Sequence, residues 1–85
     1  MPEISRFYGI IIQMFFKDHN PPHFHIAYGE YRAVVTIEDG IVEGNMTSKA
    51  LKLVFEWMEL HKEELMKNWE LAQNGELPKS IEPLK

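Results

Sequence analysis

The sequence predicts an α+β fold, a small antiparallel sheet of three to four strands packed against one long C-terminal helix. Three observations carry this expectation. Residues 4–43 break into short β-branched and aromatic runs separated by Gly, Pro and Asp turn signals. From about Ser48 the apolar residues recur at helical spacing instead, at Leu51, Val54, Met58, Leu65, Trp69 and Ala72. The 85 residues are 45% hydrophobic and 12% aromatic, which is enough apolar content for a folded core and a length that suits a single domain, residues 1–85.

Taken in order, Ile4 to Phe16 is rich in Ile, Phe and Tyr and reads as strand, with Gly9 as a bulge or bend. Asp18-His19-Asn20-Pro21-Pro22 cannot extend a ladder, because two prolines remove two N–H donors, and it reads as a loop. His23 to Tyr28 and Tyr31 to Ile37 are strands joined by a tight hairpin at Gly29-Glu30. Glu38-Asp39-Gly40 is a further turn, and Ile41-Val42-Glu43 adds a short last strand. The helix spans about residues 48–74. Thr47 or Ser48 caps its start, Gly75 and Pro78 stop it, and a second apolar row at Ala50, Leu53, Trp57 and Leu60 widens its core-facing stripe. Its length is roughly 40 Å at 1.5 Å per residue. The stripe thins at His61-Lys62, where a break can fall. The tail, residues 75–85, lies across the surface with Ile81 and Leu84 as anchors.

One helix covers one face of such a sheet. Ile10, Ile12, Met14 and Phe16 alternate onto one side, and Ile11, Gln13 and Phe15 onto the other, so both sides are apolar. Either the tail and a curved sheet cover the second face, or a homodimer or protein partner does.

Composition narrows the function classes. The absence of cysteine excludes disulfides and thiolate catalysis. Nine basic against thirteen acidic side chains give a net charge of −4, which argues against non-specific binding to a nucleic-acid backbone. The N-terminus does not read as a signal peptide, and the longest apolar run, broken by Gln13, is too short to span a bilayer. The expected location is the cytoplasm, with no membrane partner.

The chemistry concentrates in Asp18-His19-Asn20-Pro21-Pro22-His23-Phe24-His25, which holds three of the four histidines. His23 and His25 are two apart on a strand, so their imidazoles share a face at about 7 Å between Cα atoms. Three readings stay open. As a divalent metal site, His19, His23 and His25, or Asp18 in place of His19, offer the three ligands that a catalytic zinc-type centre uses. As an acid–base site, paired imidazoles near neutrality can give and take a proton in metal-independent RNA cleavage. Asp18 and Arg6 are then further candidate catalytic residues, and Arg6, Lys17 and Arg32 candidates to hold phosphate. As a purely structural feature, the histidines bond to backbone at a strand edge that the prolines protect.

Elsewhere the signals are plainer. His61, on the apolar stripe between Met58 and Leu65, reads as a satisfied helix histidine, and Trp57 and Trp69 read as core. Glu56, Glu59, Glu63 and Glu64, interspersed with Lys62 and Lys67, form a solvated helix face. Lys49 and Lys52 oppose the dipole of the first helical turn and either attract an anion or extend into water.

Longer strings resemble a known family. Met1-Pro2-x-Ile4-Ser5-Arg6-Phe7-Tyr8-Gly9-Ile10, Asp18-His19-x-Pro21-Pro22-His23-Phe24-His25, Ala50-Leu51-x-Leu53-Val54-x-Glu56-Trp57, His61-x-x-Glu64-Leu65-x-x-Asn68-Trp69 and Ile81-Glu82-Pro83-Leu84 are similar to the small prokaryotic domain of unknown function 4160. The resemblance spans nearly the whole chain and implies a toxin component of a type II toxin–antitoxin pair, with an antitoxin-like protein partner. It brings no agreed active site. It does mark Ser5, Arg6, Tyr8, Asp18, His19, His23, His25, Trp57, His61, Asn68 and Trp69 as family-pattern positions. The functions to weigh are a toxin acting on RNA through the histidine cluster, a non-enzymatic protein-binding or regulatory module, and a metal-binding protein.

Overall fold

The computed structural model describes residues 3–85, so Met1 and Pro2, which open the first family-like string, lie outside the described residues. Five antiparallel strands form one sheet in chain order: β1 (Glu3–Phe7), β2 (Ile10–Gln13), β3 (His23–Tyr28), β4 (Tyr31–Thr36) and β5 (Val42–Asn45). Two helices follow, α1 (Ser48–Leu60) and α2 (Lys62–Gln73). The class is α+β as expected, but the sheet has five strands rather than three or four, and the single long helix is two.

The extra strand comes from Tyr8-Gly9. Gly9 is not a bulge within one strand. Both residues have positive φ, 49° and 82°, and Phe7 pairs with Ile10 across them. Two consecutive left-handed residues make the primed turn whose twist suits a two-residue hairpin. A tyrosine in the first position hides the Asn-Gly signature that usually reveals such a turn. Gly29-Glu30 does make the expected hairpin, with Gly29 at φ 60° and Tyr28 opposite Tyr31. Thr36 closes the next turn, its Oγ1 accepting from the Ile41 N–H at 2.8 Å. Gly44 lets β5 lie close to β4, because a Cβ there would sit 2.6 Å from the Arg32 carbonyl oxygen.

The helix breaks at His61, whose φ −126° and ψ 23° leave the helical region. His61 ends one helix and starts the next. Its N–H donates to the Met58 carbonyl, and its own carbonyl accepts from the Leu65 N–H. Its imidazole Nδ1 lies 2.6 Å from Glu64 Oε1, and the ring packs on Trp57. His61 is thus a hinge residue rather than one within a continuous helix. Thr47 caps α1 by accepting from the Ala50 N–H.

The core lies between one sheet face and the helices. Ile10, Ile12, Met14, Phe24, Ile26, Val35 and Ile37 meet Val54, Trp57 and Leu65, all fully or almost fully buried. Phe16, expected beside Met14, is instead exposed: β2 ends at Gln13 and the backbone turns at Lys17, where φ is 51°. On the opposite sheet face Ile11, Gln13, Phe15, His25 and Val34 are half-buried. The tail does not cover them. It straps the helix side, where Ile81 is buried and its N–H donates to the Ile4 carbonyl of edge strand β1.

Two family-pattern residues hold that strap. The Trp57 indole N–H donates to the Glu82 carbonyl at 2.9 Å. Buried Asn68 donates to the Lys79 carbonyl and accepts from the Lys79 N–H, at 2.8 and 2.9 Å. Asn68→Ala removes both bonds and strands two backbone groups, so it should cost about 2–3 kcal/mol by urea unfolding. Limited proteolysis should then cut first within residues 75–85. An unchanged midpoint and an uncut tail would show that the strap is not held this way.

Candidate metal centre

Loop residues 14–22 carry the acidic member of the site, and α2 holds that loop in place. The Lys17 N–H donates to the Ala72 carbonyl at 3.1 Å, and the Gln73 side-chain amide donates to the Asp18 carbonyl at 2.7 Å. On the other side the Pro22 carbonyl accepts from the Ile37 N–H. The Asp18 backbone is therefore fixed from the helix layer while its carboxylate faces β3.

His23 and His25 both turn toward that carboxylate. Asp18 Oδ2 lies 2.8 Å from His23 Nε2 and 3.2 Å from His25 Nε2. The ligand atoms of all three side chains fall within 4.8 Å of one another. His23 Nδ1 lies 2.8 Å from the Pro21 carbonyl oxygen. The two rings are 5.2 Å apart, centre to centre. Each is held from behind: Trp69 packs on His23 at 5.1 Å, and Phe15 meets His25 edge-on at 4.2 Å. His23 is buried, while the His25 side chain keeps 28% of its surface.

The protons follow from who can donate. A carbonyl oxygen only accepts, so His23 Nδ1 carries a proton and gives it to Pro21. In the neutral ring Nε2 is then a lone pair aimed at a carboxylate, and two acceptors 2.8 Å apart need a cation between them. That cation is either a second ring proton or a metal ion. The metal case is the usual one for a ligating histidine, whose distal N–H donates to a carbonyl and so fixes the tautomer.

The charges suit a cation as well. Partial burial pushes the Asp18 carboxyl up, but hydrogen bonds from His25, His23 and the His19 N–H outweigh it and hold its pKa down to about 2. Burial lowers the His25 pKa, an effect that the Asp18 bond only partly offsets and that the neighbouring His23 reinforces. A metal selects an ionised carboxylate and a neutral imidazole, and it would replace the proton through which His25 Nε2 bonds to Asp18.

The cluster opens onto a cavity of about 210 Å³, lined by Asp18, His23 and His25 with His19, Pro21, Val34, Thr36 and Glu43. Thr36 and Val34 belong to β4, and Glu43 to β5. His25, Val34 and Glu43 form one row across the open sheet face. In the sequence Glu43 reads only as part of the last strand, and strand register alone brings it to the cavity. Gln73 likewise reads as helix surface until the loop it holds is seen.

Arg6 is not part of this site. It lies on β1, exposed and ion-paired with Glu3 at 2.7 Å. Arg32 is occupied with the Gly29 and Tyr31 carbonyls, and Lys17 extends toward Gly75. His19 stands at the rim, its side chain 89% exposed.

Both shifted groups make the metal-free chain less stable in acid. Asp18 titrates at about 2 when folded against an ordinary 3.8, so its contribution is complete above about pH 4 and is lost as pH falls toward 2. His25 takes up its proton less readily when folded, so stability also drops as pH falls below its ordinary 6.5. Urea midpoints should fall through both windows. Asp18→Asn should flatten the lower one, and an unchanged slope there would refute the assignment.

No significant match is found among curated proteins or among solved structures. Among the described residues, no helix is long and apolar enough to cross a membrane. The family model for a domain of unknown function, DUF4160, matches residues 9–70, a span that runs from the first hairpin through all three converging ligands to the end of the Trp69 contact. By that match the chain belongs to the DUF4160 family.

Proposed function

We propose that this chain is a divalent-metal-binding protein and that Asp18, His23 and His25 are its ligands. The observation that carries the reading is their convergence: three ligand atoms of buried or half-buried side chains within 4.8 Å, one ring fixed through its far nitrogen. Two imidazoles and a carboxylate suit zinc or a similar borderline ion better than calcium or magnesium, which prefer all-oxygen shells. Three protein ligands beside a cavity leave a coordination position open, as in centres that activate water rather than those that only hold a fold together.

This reading fits the site better than metal-independent acid–base catalysis. That chemistry needs one free imidazole on each side of the scissile bond and a cation for the phosphate. Here both Nε2 atoms address the same oxygen, and Arg6 stands apart. A toxin role, which the family resemblance implies, would then run through the same centre: Asp18, His23 and His25 would hold the metal, and the metal would supply Lewis-acid activation of water for attack on a target such as RNA.

Chain purified without a histidine tag, then loaded with Zn²⁺ and desalted, should hold one equivalent by elemental analysis. His23→Ala and His25→Ala should each weaken binding at least about 100-fold, since losing even an outer partner of a metal ligand costs 10–100-fold. A stoichiometry near zero for the unsubstituted chain would remove the proposal.

Expression of the chain alone should arrest bacterial growth, and either histidine substitution should relieve the arrest. Normal growth at confirmed soluble expression would count against the toxin role while leaving the metal centre to be judged on its own titration.

A further inference from the structure

Of the three clustered imidazoles, two are locked and one is free. His23 and His25 are wedged between Trp69, Phe15 and each other, with side chains 7% and 28% exposed. The His19 side chain is 89% exposed. Its Nδ1 lies 3.1 Å from Asp18 Oδ1, and its backbone N–H donates to that same oxygen at 2.9 Å. The Asp18 carboxylate therefore turns Oδ2 to the two locked rings and Oδ1 to the free one. The His19 ring centre is 5.8 Å from that of His23, at the rim of the cavity into which the centre opens.

We infer that His19 is an exchangeable fourth ligand. Its ring would add a third nitrogen donor to a metal held by Asp18, His23 and His25, and would yield that position to water or an incoming ligand. The inference rests on the metal centre proposed above and adds the group that regulates access to it.

The energetics favour a ligand that is present but displaceable. Residue 19 is bonded through its backbone to a residue that is itself a ligand, so its imidazole is held near the metal at high effective concentration. Against this, an exposed side chain gives up rotamer freedom when it binds. The tilted approach to His23 at 5.8 Å offsets less of that loss than Trp69 and Phe15 do for His23 and His25. A solute ligand of similar strength can therefore compete with it.

The test uses the full chain and its His19→Ala variant, with circular dichroism confirming that the exposed substitution leaves the fold intact. Zn²⁺ affinity is measured by competition with a chromogenic chelator. The variant should still bind one equivalent, about tenfold more weakly, the lower end of what outer partners of a metal site contribute. In the Co²⁺-loaded proteins, imidazole should change the visible spectrum of both, at roughly tenfold lower concentration in the variant than in the unsubstituted chain, where it must displace His19.

Equal affinities with identical imidazole responses would overturn the role of His19 and leave the three-ligand centre standing. A failure of the unsubstituted chain to bind Zn²⁺ or Co²⁺ would overturn the centre and this inference together.

Discussion

Two imidazole nitrogens face one carboxylate oxygen, and most of what is distinctive about this chain follows from that. Asp18 Oδ2 is shared between His23 and His25, while His23 has already committed its other nitrogen to the Pro21 carbonyl. In the reading proposed above, a metal ion between these atoms would meet that demand. Metal ligands bind in their deprotonated forms, so a metal would compete with protons for these atoms. Affinity should therefore rise with pH, and binding should release protons.

The rest of the fold serves to make that convergence rigid. The C-terminal end of α2 holds the loop at Lys17 and Asp18, Trp69 backs one ring, and Phe15 backs the other. α2 is in turn held by the tail through Asn68, and α1 by the tail through Trp57. Truncating a buried tryptophan costs about 3–5 kcal/mol. A chain of this size has about 4–13 kcal/mol in all, at the usual 0.05–0.15 per residue. Trp57, Asn68 and Trp69 thus serve the fold, whereas Asp18, His23 and His25 form the convergence proposed to hold a metal.

Much of this was legible in the residues, and the exceptions have physical causes. Period-2 alternation put His23 and His25 on one face, and prolines marked the loop, so the cluster could be located before any geometry was known. Its internal order could not. That Asp18, rather than His19, meets the two rings depends on the Gln73 bond to the loop, 55 residues away. Glu43 comes to the cavity only through the β4–β5 register. The hairpin at Tyr8-Gly9 was hidden by a tyrosine in a left-handed position that sequence rules reserve for Asn, Asp or Gly. The helix break at His61 was visible only as a thinning stripe, because the residue that caps both helices is a histidine rather than a glycine or a small polar residue.

The most direct test of the centre is the X-ray absorption spectrum of the Zn²⁺-loaded chain. A first shell of nitrogen and oxygen is expected at about 2.0–2.1 Å, with the outer-shell scattering of at least two imidazole rings. That imidazole signal should fall by one ring in His25→Ala. A shell of oxygen alone, or an imidazole signal that survives His25→Ala unchanged, would contradict the proposed centre.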